Sequence, residues 1–151
     1  MVGRVEIADR SPDGYLASIA DDGIRAEMVR IDELISSGLT NRQRVVWEGV
    51  FWGGTEQSII GYGDLVQPRP KGKTVEWFLV GLARQKRYFS LYVNAVTDGV
   101  YLGRQYVDRL GKAKAGSASI TFGSLGDLDI DVFREMLQRA DELTPPDRAT
   151  G

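Results

Sequence analysis

Residues 78–96, FLVGLARQKRYFSLYVNAV, carry the clearest strand pattern in the chain, and the predicted fold follows from them. Val75–Leu82 predicts one strand, and Tyr88–Val96 predicts the next, with apolar side chains alternating onto one face. Because only a few residues separate these runs, we expect an antiparallel pair joined by a short turn. The later run ASITF, which ends at Phe122, alternates in the same way and predicts a third, half-buried strand.

Helices are predicted on both sides of these strands. Asp21 or Asp22 caps an N-terminal helix whose apolar residues recur at helical spacing. A second helix is expected over Val100–Leu110, and a last one opens at Asp127 or Asp129. This order of elements predicts an α+β fold, in which helices pack on an antiparallel β-sheet in a single compact domain.

The chain of 151 residues is expected to hold one domain. Residues 1–10 are interpreted as an N-terminal arm, either loose or paired as an edge strand. Residues 11–144 form the domain itself. Two prolines at 145 and 146 stop the last helix, so residues 145–151 are interpreted as a flexible tail.

Composition excludes several classes of function. The chain has no cysteine and no histidine, so no zinc site is expected and Ser-His-Asp and Cys-His catalysis are excluded. Its net charge is −2, whereas a nucleic-acid partner usually requires a basic excess, so none is expected. The sequence shows neither a signal peptide nor a long apolar run, so we expect no membrane association and a cytoplasmic location.

Cations gather in two segments of this acidic chain and define the first candidate site. Arginine offers a planar fork to a carboxylate or phosphate, and lysine offers a point charge. Glycines at 111 and 116 would let backbone N–H groups approach the same anion. The alternative is a solvated hairpin end and a helix C-terminus, where positive charge suits the helix dipole. The anion-binding candidates are Arg84, Lys86, Arg87, Lys112, Lys114 and Ser117.

Three motifs in order make the chain resemble the YdhG-like family, a widespread bacterial group with a domain of unknown function. They are GLARQK running into FSLY, then LGKAKAGS, then Asp127-Leu-Asp129 before the closing helix. The resemblance covers residues 24–143. It implies an α+β fold with helices over an antiparallel sheet. We interpret the chain as a domain with a binding or chaperone-type role. One branch of the family has been described as a frataxin-like iron chaperone, which implies iron as a ligand.

An iron site in this chain would need several carboxylates on one exposed face, because oxygen ligands are the ones that the composition leaves. The alternative is that these acids cap helix starts, where negative charge meets free N–H groups. The iron candidates are Asp21, Asp22, Glu27, Asp127, Asp129 and Asp131.

A glycine-flanked aromatic segment suggests a different class of function. Trp47 and Trp52 could line a pocket with Glu48 as its carboxylate, which would suit a small enzyme that uses a Glu/Tyr/Lys pocket for acid–base work. The alternative is that Glu48 points to solvent from an edge strand. A third hypothesis is a protein-interaction module that docks on an exposed sheet face. The expected partner is therefore a small anionic ligand or another protein, and the cofactor is unknown.

Overall fold

The computed structural model describes residues 6–50, 56–68, 70–116 and 118–147. It confirms the α+β class, with an antiparallel sheet and helices packed on it. In these ranges the helices are α1 (Pro12–Ala17), α2 (Asp22–Gly38), α3 (Leu102–Tyr106) and α4 (Ile130–Glu142). Short 3-10 turns lie at Pro70–Gly72, Val107–Arg109 and Leu125–Asp127.

Seven of the described strands form the main sheet, in the order β1-β2-β3-β6-β7-β11-β10, and every pairing in it is antiparallel. Two hairpins, β4-β5 and β8-β9, stand outside it. The strands are β1 (Glu6–Ile7), β2 (Arg44–Val50), β3 (Glu56–Tyr62), β4 (Leu65–Pro68), β5 (Thr74–Trp77), β6 (Val80–Arg84), β7 (Phe89–Val93), β8 (Val96–Thr97), β9 (Val100–Tyr101), β10 (Lys114–Ala115) and β11 (Ser119–Phe122).

The main core lies between one face of the sheet and the helices. Strand alternation sends Leu82, Leu91 and Ile120 to this face, because these residues are paired across β6, β7 and β11. They pack against the apolar stripes of α2 and α4, including the fully buried Met28 and Phe133. Burial of these stripes explains why both helices follow the spacing predicted from the sequence.

The opposite face carries a smaller aromatic cluster. Its buried residues are Trp47, Ile59, Phe78 and Ala83. Gly61 and Gly81 are paired on adjacent strands beneath it, and a Cβ at residue 81 would lie 2.4 Å from the Phe78 ring. Two glycines in register therefore form a flat floor on which the Trp47 and Phe78 rings rest.

One buried arginine fastens the C-terminal segment to the start of the sheet. The Arg42 side chain is only 4% exposed and donates hydrogen bonds to the Asp141 carboxylate and to the carbonyl oxygens of Thr144 and Pro145. Asp147 in turn accepts from the backbone N–H groups of residues 43 and 64. The predicted tail from residue 145 is thus corrected: the chain is anchored through Asp147, and residues 148–151 lie outside the described ranges.

The N-terminal arm also contributes to the fold. Glu6 and Ile7 pair with Glu48 and Trp47 as strand β1, so the edge-strand alternative holds for these two residues. Arg10 forms an ion pair with Glu48 beyond the strand. The predicted domain start at residue 11 therefore leaves out a segment that is part of the sheet.

Two predicted elements are divided in the structure. The predicted strand over Val75–Leu82 becomes β5 and β6, which belong to different sheets. The predicted helix over Val100–Leu110 begins with a strand, β9, and ends in a 3-10 turn, with α3 between them. In both cases the apolar pattern continues across a change in chain direction, so periodicity alone does not mark the boundary.

Candidate functional site

The predicted basic cluster lies at one end of the main sheet. The turn between β6 and β7 is closed by a hydrogen bond of 2.8 Å from the Gln85 N–H to the Tyr88 carbonyl. Phe122 pairs with Phe89 just after this turn, and Lys114 pairs with Thr121 one strand further. The two basic segments therefore lie at the same edge of the sheet. We call the four exposed cations at this edge the cationic end; they are Lys86, Arg87, Lys112 and Lys114.

The side chains of the cationic end have no ion pair or side-chain hydrogen bond with the rest of the described chain. By contrast, ion pairs hold Arg10, Arg25, Arg42, Arg44, Arg109 and Arg139. The cationic end crosses four neighbouring strands, from β6 to β10, and the three spacings of about 4.8 Å between them spread the cations over about 14 Å. The cationic end is therefore a broad, open strip of positive charge and not a closed pocket.

Arg84 behaves differently from the other predicted cations. Its guanidinium lies over the Phe89 ring, 4.6 Å from the ring centroid, and donates to the Lys86 carbonyl. Arg84 pairs with Phe89 on the helix-covered face, whereas Lys114 belongs to a row that continues through Thr121 to Ser90 on the other face. Arg84 thus stacks within the fold, and Ser117 lies outside the described residues.

The backbone N–H groups predicted to face an anion are used inside the protein. The Lys112 N–H donates to the Asp127 carbonyl at 2.9 Å, and the Gly116 N–H donates to the Ser119 carbonyl at 2.7 Å. Gly111 has a φ of 105°, and a Cβ there would lie 2.4 Å from the Asp127 oxygen. Glycine 111 is therefore required for the close approach of two chain segments. In this segment an anion could therefore contact the lysine side chains but not these two backbone N–H groups.

Most of the carboxylates proposed for iron form separate helix caps, ion pairs or hydrogen bonds within the protein. Asp21 caps α2 by accepting from the Ile24 N–H, and Asp129 caps α4 in the same way. Asp22 pairs with Arg25, and Glu27 accepts from the Leu125 N–H at 2.6 Å. The backbone carbonyl of Asp127, and not its carboxylate, accepts from the Lys112 N–H, and Asp131 lies exposed in the first turn of α4.

These carboxylates do not assemble into a metal site. Across residues 6–50, 56–68, 70–116 and 118–147, no three acidic side chains approach closely enough to hold a metal ion. The capping alternative therefore describes Asp21 and Asp129, because both satisfy free N–H groups at a helix start.

The predicted Trp47–Glu48–Trp52 pocket is corrected by strand alternation. Trp47 lies in the aromatic cluster, with its ring 5.0 Å from that of Trp77. Glu48 is the next residue along β2 and so points to the opposite face, where it pairs with Arg10. Trp52 lies outside the described residues. Trp47 and Glu48 therefore cannot line one pocket, and the enzyme hypothesis loses its acid–base group.

Sequence reasoning missed a buried polar network between α2 and the sheet. Asp32 is only 6% exposed and accepts two hydrogen bonds from the Arg44 guanidinium, at 2.8 and 2.7 Å. The Tyr62 hydroxyl donates to the same carboxylate at 2.6 Å. On the exposed side, Asp13 pairs with Arg44. Asp32 falls between two apolar residues of the helix stripe, Ile31 and Leu34, and this position was the available signal.

The network predicts a specific loss of stability at alkaline pH. Burial, and then the Asp32 carboxylate, raise the pKa of Tyr62 well above its usual value of 10.0. The folded state therefore keeps the Tyr62 proton when the unfolded chain releases it, so this contribution is intact below pH 10 and is lost as the pH rises further. The slope attributable to one such group reaches about 1.4 kcal/mol per pH unit.

Urea unfolding between pH 8 and pH 11 measures this slope. The free energy of unfolding should fall less steeply with pH in Tyr62→Phe than in the wild type, although the variant starts from a lower value. Burial also raises the pKa of Tyr15 and Tyr92, and their share of the slope is common to both proteins. Equal slopes in the two proteins would contradict the prediction.

Comparison of the chain with protein-family models, with curated proteins and with solved structures finds no match. The YdhG-like resemblance therefore stays a prediction from three sequence motifs. No helix in the described parts of the chain combines the length and apolar character needed to cross a membrane.

Proposed function

We propose that this chain is a cytoplasmic binding domain of the YdhG-like type that holds an extended polyanion at the cationic end. One observation carries the proposal: four exposed cations share one edge of the sheet, and the described chain gives their side chains no internal partner. In a protein of net charge −2, such a strip concentrates positive potential locally and attracts anions over roughly a Debye length.

The shape of the strip favours a ligand with several charges. Lysine ammonium groups act as separate point charges and do not form the planar fork that arginine offers to a single carboxylate. Because the cations spread over about 14 Å, a chain of phosphates or an acidic peptide would contact more of them than one small ion could. A binding role is preferred to an enzymatic one, since Glu48 is paired away from the aromatic cluster. Iron is not included, because the proposed carboxylates do not converge in the described structure.

Titration calorimetry with inorganic tripolyphosphate tests the proposal. We expect saturable binding that weakens with added salt, and affinity about tenfold lower in Lys112→Ala/Lys114→Ala, which corresponds to about 1.4 kcal/mol. The matched control is Lys71→Ala/Lys73→Ala, which removes the same charge from the exposed β4-β5 hairpin. Equal affinity in the two double variants would place binding elsewhere and reject the cationic end. Monophosphate serves as a second comparison and should bind more weakly than tripolyphosphate.

A further inference from the structure

A groove separate from the cationic end runs between α2 and α4. Leu137 of α4 packs onto Gly38 at the C-terminal end of α2, and the groove opens on the N-terminal side of this contact. Its volume of about 560 Å³ lies within the range of small-molecule sites, about 300–1,000 Å³. The turn at Leu125–Asp127 forms its end wall and is held against α2 by the hydrogen bond from the Leu125 N–H to Glu27.

The floor and the rim of this groove differ in chemistry. Leu34 and Leu128 are buried at its base, with the half-buried Leu125 and Ile130 beside them. The rim is charged and exposed, and it consists of Arg30, Glu33 and Arg134. An apolar floor below a few charged groups is the usual composition of a site for a small organic molecule.

The three charged groups of the rim are free to meet a ligand. In the described parts of the chain the side chains of Arg30, Glu33 and Arg134 form no ion pair and no hydrogen bond, although all three line the groove. Arg30 and Glu33 are three residues apart on α2, which places their Cβ atoms about 5–6 Å apart on one helix face. A positive and a negative group thus stand side by side, with a second guanidinium across the groove on α4.

We propose that this groove binds a free amino acid with a large apolar side chain. The carboxylate of such a ligand matches the two guanidinium groups, because arginine binds carboxylates with two parallel hydrogen bonds. Its ammonium group, on the neighbouring carbon, matches Glu33. Its side chain covers the leucines of the floor. This ligand accounts for both signs of charge on the rim and for the apolar base, whereas a simple anion would leave the Glu33 carboxylate unmatched.

A set of leucine derivatives tests each part of the match by titration calorimetry. We expect L-leucine or L-phenylalanine to bind with a Kd below about 1 mM. N-acetyl-leucine lacks the ammonium charge and leucinamide lacks the carboxylate, so both should bind about tenfold more weakly or worse. Failure of both amino acids to bind would overturn the proposal. Equal affinity for leucine and its two derivatives would overturn it as well, since the charged rim would then play no part.

Variants assign the binding to the groove. Arg30→Gln/Arg134→Gln should weaken leucine binding by about tenfold or more, and Glu33→Gln should weaken leucine binding but leave N-acetyl-leucine binding unchanged. Glutamine keeps helix propensity at these exposed positions, and circular dichroism checks that each variant is folded. Lys71→Gln/Lys73→Gln is the control of equal charge and should bind as the wild type does. Wild-type affinity in Arg30→Gln/Arg134→Gln would place the amino acid outside the groove.

Discussion

Asp32→Asn should lower the free energy of unfolding by about 3 kcal/mol, because it removes the buried partner of Arg44 and leaves this charge with only the exposed Asp13 carboxylate. Asparagine has nearly the same shape as aspartate but no charge. Arg44 would keep its position beside α2 without the carboxylate that receives two of its hydrogen bonds. The Tyr62 hydroxyl would also lose its charged acceptor. Equilibrium unfolding in urea measures the change directly.

The matched control for this prediction is Asp13→Asn, which removes the other carboxylate that contacts Arg44. The Asp13 side chain is 84% exposed, and exposed ion pairs contribute about 0–1 kcal/mol. We therefore expect little loss in the control. Similar losses in both variants would show that burial of Asp32 does not determine the strength of the network.

Arg42→Ala should also cost about 3 kcal/mol and should release the C-terminal segment. The side chain is almost fully buried and donates hydrogen bonds to the carbonyl oxygens of Asp141, Thr144 and Pro145 and to the carboxylates of Asp141 and Asp147. A hydrogen bond that involves a charged group contributes about 1.5–3 kcal/mol, and Arg42→Ala removes several at once. Limited proteolysis should cut the variant after Glu142 much faster than it cuts the wild type.

Arg139→Ala is the control for Arg42→Ala and its contacts with the C-terminal segment. Arg139 lies on the same helix and pairs with Glu142 at 3.6 Å, but its side chain is 46% exposed. Its removal should change stability by less than about 1 kcal/mol and leave the proteolysis rate unchanged. A protease-resistant C-terminus in Arg42→Ala would show that Arg42 does not hold the C-terminal segment in place.

Much of the fold could be predicted from the sequence, because its main elements bury one apolar face each. The helical stripe of α2 and the alternation in β7 and β11 are signals of this kind. The division of Val75–Leu82 between two sheets could not be predicted in the same way. Trp77 and Phe78 are both apolar and both pack in the aromatic cluster, so hydrophobicity gives no sign that the strand ends there.

The candidate sites were predicted less well than the fold. The sequence shows two basic segments, and only the antiparallel register brings them to one edge of the sheet. The partner of each charge depends on residues far away in the sequence. Glu27 accepts from a residue 98 positions later, and Arg42 binds a segment about a hundred positions later. Local patterns carry no information about such contacts, and the groove between α2 and α4 likewise exists only after the helices pack.

The glycine floor beneath Phe78 also constrains how this sequence can change over time. Any side chain at residue 61 or 81 would occupy space that the Trp47 and Phe78 rings already fill. A mutation at either glycine is thus tolerated only together with a smaller residue above it, and such double changes are rare. We expect related sequences to inherit the two glycines and the aromatic residue as one unit. Gly61 and Gly81 are twenty residues apart, and Phe78 comes three residues before Gly81. This combination is a marker of common descent that is independent of the charged motifs.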